Sequence, residues 1–142
     1  MNDLKKTLSK INNGVIDKIY FLKGEDQFLQ NFFIDKLFLN IFSDTQGYKK
    51  FFTTNEFSGK EIIDSILSID LFVSKKLFVI KEPQKIKGKP LDELLKYCNN
   101  PLDNHFLVLI NDNFADSDSF SKKMPKNILK LNVSTPFHSE LL

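Results

Sequence analysis

The chain has 142 residues, enough for one folded domain, and 42% of them are hydrophobic, enough to fill a core. All of its basic residues are lysine, and 20 of them against 18 Asp and Glu leave a formal charge of +2, too balanced for the strongly basic footprint of a nucleic-acid-binding domain. The absence of arginine also excludes arginine fingers and bidentate phosphate forks, since both need a guanidinium.

Cys98 is the only cysteine, which excludes an internal disulfide and a cysteine-rich metal site, and it reads as a reduced thiol. Residues 1–13 are polar and lysine-bearing, without the apolar run of a secretory signal. No stretch reaches the ~18 apolar residues of a membrane span. These features predict a soluble, cytoplasmic chain with no membrane contact.

Apolar runs alternate with helical patterns along the chain, the signature of a parallel α/β sheet covered by helices on both faces. Residues 19–23 read as a first strand, apolar enough to be buried on both sides. Gly24 breaks it, and Asp26 is placed to cap the following helix, whose broad apolar face carries Phe28, Leu29, Phe32, Phe33, Leu37, Phe38, Ile41 and Phe42. Residues 48–53 form a second strand, placed near a sheet edge because Lys49 and Lys50 interrupt it. Ser58 and Glu61 have capping-box spacing, ahead of a helix with Ile62, Ile63, Ile66 and Leu67 as its core stripe.

A third strand covers residues 77–80 and ends before Pro83. A short helix begins at Pro90 and carries Leu91, Leu94 and Leu95. Residues 106–110 are the clearest buried strand. Residues 111–127 read as a surface loop, and 128–133 as a fifth strand with no helical pattern after it.

The loop after the first strand is where a phosphate-binding fold keeps its glycines. Here it reads Gly24-Glu25-Asp26-Gln27-Phe28-Leu29, with only the first glycine of a P-loop and with two carboxylates where phosphates would sit. Strand three runs into Lys81-Glu82-Pro83 instead of the acidic pair that positions magnesium and water in an ATPase. Asn111 occupies the position of a nucleotide-sensing polar residue and is better suited to capping its strand. No cofactor is expected, and no metal site.

A receiver-like phosphoacceptor site would need an aspartate after strand three, and this chain has Glu82 beside Glu25 and Asp26. His105 and His138 stand far apart with no cysteine near either, and His105 reads as a partly buried structural histidine. No G-x-S-x-G elbow accompanies the serines. The sequence therefore predicts a binding module with no catalytic residues. Tyr48-Lys49-Lys50-Phe51-Phe52 interleaves lysines with rings and could stack single-stranded nucleic acid. An amphipathic strand with buried rings and exposed amines explains it more simply.

Residues 68–76 do not fit the core pattern. A connection this short should be polar, yet Leu71 and Phe72 are adjacent, large and apolar, and neighbours on a turn point in different directions. Two readings fit: one of them seals the bottom of the sheet, or the pair forms a protruding plug for a partner, flanked by Ile69, Val73, Ser74 and Lys75.

Two of these segments resemble the DNA polymerase III delta subunit family. The run Ile19-Tyr20-Phe21-Leu22-Lys23-Gly24-Glu25-Asp26-Gln27-Phe28-Leu29 is similar to the family's opening strand, with glycine and glutamate in place of a phosphate loop. Asp70-Leu71-Phe72-Val73-Ser74-Lys75-Lys76-Leu77 resembles its second signature, although Lys75 stands where the family usually has arginine. The likeness spans roughly residues 15 to 133.

The resemblance implies an AAA+-type sheet of order 5-1-4-3-2 with a degenerate phosphate loop at Gly24, Glu25 and Asp26. It also implies a replication role without nucleotide hydrolysis, within the DNA polymerase III holoenzyme, a nucleotidyltransferase complex. Leu71 and Phe72 would enter a pocket on the beta sliding clamp. Delta-prime and the tau or gamma subunits would be partners, and DNA would be reached only through the assembled complex. Family members are about twice this length, with lid-like and collar domains, so the chain is expected to be one AAA+-like domain, monomeric alone, from a longer subunit. A degenerate AAA+-type adaptor for another protein, or for single-stranded nucleic acid, is the alternative.

Overall fold

The structure is a computed structural model and describes residues 2–42, 47–113 and 119–134. Its elements alternate along the chain: α1 (Asn2–Asn12), β1 (Ile19–Lys23), α2 (Gln27–Ile41), β2 (Tyr48–Thr53), α3 (Gly59–Leu67), β3 (Lys76–Lys81), a 3-10 turn at Pro83–Lys85, α4 (Lys89–Asn99), β4 (His105–Asn111), α5 (Ser119–Lys123) and β5 (Lys130–Asn132). The strands form one sheet of order β2-β3-β4-β1-β5. All four pairings are parallel. This is the expected order read from the other edge, and β2 lies at an edge as its lysines suggested.

Period-two alternation divides the strand residues between two apolar layers. Tyr20, Leu22, Leu77, Val79, Val108 and Ile110 face Leu29, Phe33 and Leu37 of α2 and Leu4, Leu8 and Ile11 of α1. Phe21, Phe78, Ile80, Leu107 and Leu109 face Ile62, Ile63 and Ile66 of α3, Leu94 and Cys98 of α4, and Phe120 of α5. Every residue of β1 is buried, which is why its sequence carries no polar face.

The helix starts follow their caps. Asp26 accepts a hydrogen bond from the Leu29 amide at 3.2 Å. The Ser58 hydroxyl accepts from the Glu61 amide at 3.1 Å, while the Glu61 carboxylate accepts from the Ser58 amide at 3.3 Å, completing the capping box. Pro90 sits in the first turn of α4, where its missing amide costs nothing.

Four features differ from the sequence reading. Residues 2–12 form a helix whose Leu4, Leu8 and Ile11, spaced i, i+4 and i+7, pack on the sheet. Within 111–127, read as surface loop, residues 119–123 form α5, and Phe120 is buried with its ring 5.7 Å from that of Phe21. The fifth strand is shorter than expected, covering only Lys130–Asn132. Leu67, assigned to the core stripe of α3, is 45% exposed, because it overhangs the sheet margin at the helix end. His138 and residues 114–118 of the loop lie outside the described residues.

Because Ile11 is fully buried against the sheet, Ile11→Ala should destabilise the fold by about 2–5 kcal/mol. Urea denaturation followed by circular dichroism checks this. A change below ~0.5 kcal/mol would mean that α1 is not part of the cooperative core.

Candidate partner-docking site

Helices that connect parallel strands return the chain to the amino ends of those strands, so residues 68–75, between α3 and β3, lie on that rim. The chain leaves α3 at Ser68, whose hydroxyl donates to the Ser65 carbonyl at 2.9 Å. Asp70 then accepts a hydrogen bond from the Phe72 amide at 2.9 Å, a local side-chain turn that fixes the backbone through Leu71. Lys75 donates from Nζ to the carbonyl of Ile41 at 3.5 Å, at the C-terminal end of α2, where a cation complements the helix dipole. Lys76 enters the sheet as a buried residue, its amide donating to the Asn104 carbonyl at 3.1 Å and its ammonium 5.2 Å from the centre of the Tyr48 ring.

Between these anchors, Leu71 is 90% exposed and Phe72 95%, and Ile69 is 90% exposed beside them. The layer on the α3 side of the sheet is already filled by Ile62, Ile63, Ile66 and Phe78. Val73 is half-buried, while Ser74 and Lys75 are exposed. Sequence reasoning did not bring two further leucines together. Leu67 at the end of α3 and Leu102 before β4 are both partly exposed and line one groove beside Tyr97 and Lys96. The available signal was a leucine between Pro101 and Asp103, in a turn that needs no apolar side chain.

The opposite rim holds the loop after β1. Gly24 has φ 143°, and a Cβ there would meet the backbone carbon of Val133 at 2.4 Å. Its amide donates to the Asn111 carbonyl at 2.9 Å and the Asp26 amide to the Val133 carbonyl at 3.0 Å. Gln30, buried, donates from Nε2 to the Gly24 carbonyl and to Asp112 Oδ1, each at 2.8 Å. These bonds occupy backbone groups that a phosphate would contact at Gly24 and Asp26. Glu82, at φ 60°, accepts from the Asp112 amide at 3.3 Å and from the Gln84 side chain, so its carboxylate is engaged in holding the two strand ends together. The Asn111 side-chain oxygen accepts from the Asn113 amide at 2.9 Å, a strand-end cap.

The remaining candidates have local roles. His105 is partly buried, and desolvation together with the Lys76 ammonium holds its imidazole below the usual range. Burial pushes the Cys98 thiol up to about 12, which leaves it a poor nucleophile. In β2, Phe52 is buried and Phe51 partly exposed. The Lys49 ammonium lies 5.3 Å from the Phe51 ring and 5.0 Å from that of Phe38. Among the described residues, no group of three or more His, Cys, Asp or Glu could hold a metal ion, and no helix is long and apolar enough to cross a membrane.

A five-stranded parallel sheet of this order, covered by helices, with an exposed apolar knob on one rim and a tied-down glycine turn on the other, defines a three-layer α/β domain of the clamp-loader delta type. The family model for the DNA polymerase III delta subunit matches residues 20–134, and the chain belongs to that family. The DNA clamp loader delta protein of Bacillus subtilis has a similar structure, with a TM-score of 0.73 at 13% identity over 92% of this chain and 42% of that one. A DNA polymerase III gamma subunit-related protein from Thermotoga maritima also superposes, with a TM-score of 0.59 at 10% identity over 96% of this chain and 47% of that one. The chain thus spans less than half the length of either solved protein, and at these identities the likeness concerns the fold. No curated protein sequence matches the chain.

The close approach of Gly24 to Val133 generates a test of the loop after β1. Gly24→Ala adds a Cβ to a backbone conformation that L-residues rarely adopt and drives it into main-chain atoms. We expect a loss of at least about 2 kcal/mol in chemical denaturation. An unchanged midpoint would show that the β1–β5 contact is loose.

Proposed function

We propose that this chain acts as a clamp-loader subunit of bacterial DNA polymerase III. In this reading it grips the beta sliding clamp through Leu71 and Phe72 and helps hold the ring open for loading onto DNA. The observation that carries the reading is the near-complete exposure of two adjacent, bulky apolar side chains on a loop whose backbone is fastened at both ends. An apolar knob of this kind suits a pocket on a partner, with Ile69 and the polar Ser74 and Lys75 around it as a rim.

Burying both side chains contributes on the order of 3–6 kcal/mol, about two to four powers of ten in affinity. Part of that affinity rests on preorganisation. The Asp70 carboxylate and the Lys75 ammonium hold the loop before a partner arrives, so less conformational freedom is lost on binding.

Opening a ring requires no hydrolysis by the subunit that holds it. A protein that binds the open ring more tightly than the closed one shifts the equilibrium by that difference in affinity. The loop after β1 favours such a passive part, since Glu25 and Asp26 bring negative charge to the place of a nucleotide's phosphates and the Gly24 and Asp26 amides are already bonded. We assign ATP turnover to the tau or gamma subunits, which this chain would join together with delta-prime. Contacts with them are assigned to parts of the longer family members beyond the matched fold, and the loaded DNA is reached in the assembled loader.

Titration calorimetry of the purified clamp tests the reading. Leu71→Ala with Phe72→Ala should weaken binding at least about 100-fold while leaving the thermal midpoint of this chain unchanged, because neither side chain is in the core. Equal affinity for wild type and double variant would refute the assignment. Asp70→Ala should weaken binding by a smaller factor, about three- to tenfold, because it frees the loop without removing the knob. A loss as large as that of the double variant would mean that Asp70 itself contacts the clamp.

A further inference from the structure

The nearly balanced total charge hides a local asymmetry. Residues 119–134 contain four of the 20 lysines and none of the 18 acidic residues, so this stretch carries +4 and the rest of the chain −2. Three of these lysines, Lys122, Lys126 and Lys130, line one groove, with Asp3 of α1 as its single acidic residue. All three are exposed, and among the described residues no side-chain hydrogen bond or ion pair engages their ammonium groups. Like charges gathered with Asp3 as the one described carboxylate beside them repel one another and destabilise the free surface, so the arrangement favours an anionic partner.

The local fold produces the cluster. α5 ends in Lys122 and Lys123, the chain turns after Pro125, and β5 starts at Lys130. Burial of Phe120, Met124 and Leu131 on the inner side leaves the intervening lysines outward. The turn between α5 and β5 also shares a cleft with Asp17, Lys18 and Ile19 at the start of β1, so the cluster lies toward the same rim of the sheet as Leu71 and Phe72. The two features remain separate, because no residue of the lysine groove lines the groove beside the knob.

We propose that Lys122, Lys126 and Lys130 bind the phosphate backbone of nucleic acid. Lysine is a compact, mobile point charge that neutralises phosphates without reading base edges. Among the described residues the groove presents no aromatic ring for stacking, and the chain has no guanidinium for bidentate recognition, so binding is independent of sequence and indifferent to strandedness. Leu129 is the one large exposed apolar side chain at the groove, at 49%. That is too small an anchor for a protein partner by itself, whereas a nucleic-acid backbone supplies charge at high linear density. The site does not depend on the role given to Leu71 and Phe72.

Fluorescence anisotropy of the chain with labelled single-stranded and duplex DNA, at two salt concentrations fourfold apart, tests the proposal. Three phosphate contacts predict that duplex affinity falls about 40-fold across that range. Lys122→Glu, Lys126→Glu and Lys130→Glu together should reduce affinity at low salt by about tenfold or more. The same charge change at Lys85, Lys87 and Lys89 should leave it within about threefold, and so should Leu71→Ala with Phe72→Ala. Circular dichroism confirms folding, and Lys→Gln at the three groove positions gives a smaller loss if reversal disturbs the fold. No DNA binding by the wild type at low salt overturns the proposal, as does an equal loss from the control lysines. Binding to poly-glutamate but to neither DNA also overturns it, in favour of an acidic protein partner.

Discussion

Both apolar faces of the sheet are filled by the helices, and this saturation constrains everything that lies outside. β1, β3 and β4 are buried on each side, so any further large apolar residue has to leave the core. Leu71 and Phe72 stand on a rim that has no unfilled layer behind it. Their exposure follows from the packing beneath them, since Ile66 ends the inward stripe of α3 and Leu77 begins the inward pattern of β3.

The same sheet gives its two rims different characters. At the carboxyl ends of the strands, the ends of β1, β4 and β5 are bonded to one another through Gly24, Asn111 and Val133, and Gln30 and Asp112 close the turn further. Hydrogen-bonding groups there are directed at neighbouring strands. At the amino ends, the connections carry the apolar knob and the lysine groove.

Charge follows a similar division. A total of +2 describes no surface in particular, because cations in one segment are offset by acidic residues elsewhere in the chain. Lys23 and Lys76 illustrate the other limit. Both are buried, Lys23 reaching the Ser121 hydroxyl at 3.4 Å and Lys76 lying against Tyr48, and both act as structural residues. A lysine's role in this molecule is set by its position on the fold, which its position in the sequence does not reveal.

Local signals settled much of the architecture in advance. The alternation of elements, the caps at Asp26 and Ser58, the edge position of β2 and the odd apolar pair at Leu71 and Phe72 are carried by short-range stereochemistry and by patterns a few residues long. Helix α1 was legible in the spacing of Leu4, Leu8 and Ile11 but was masked by five lysine and asparagine residues among them, and nothing local says that a lysine-rich helix has a core to pack on. The exposure of Leu67, the burial of Phe120, the joining of Leu67 and Leu102 in one groove and the convergence of Lys122, Lys126 and Lys130 were decided only by the tertiary structure. Each depends on where a helix or strand ends relative to a neighbour distant in the chain, and burial is a property of that neighbour as much as of the residue itself.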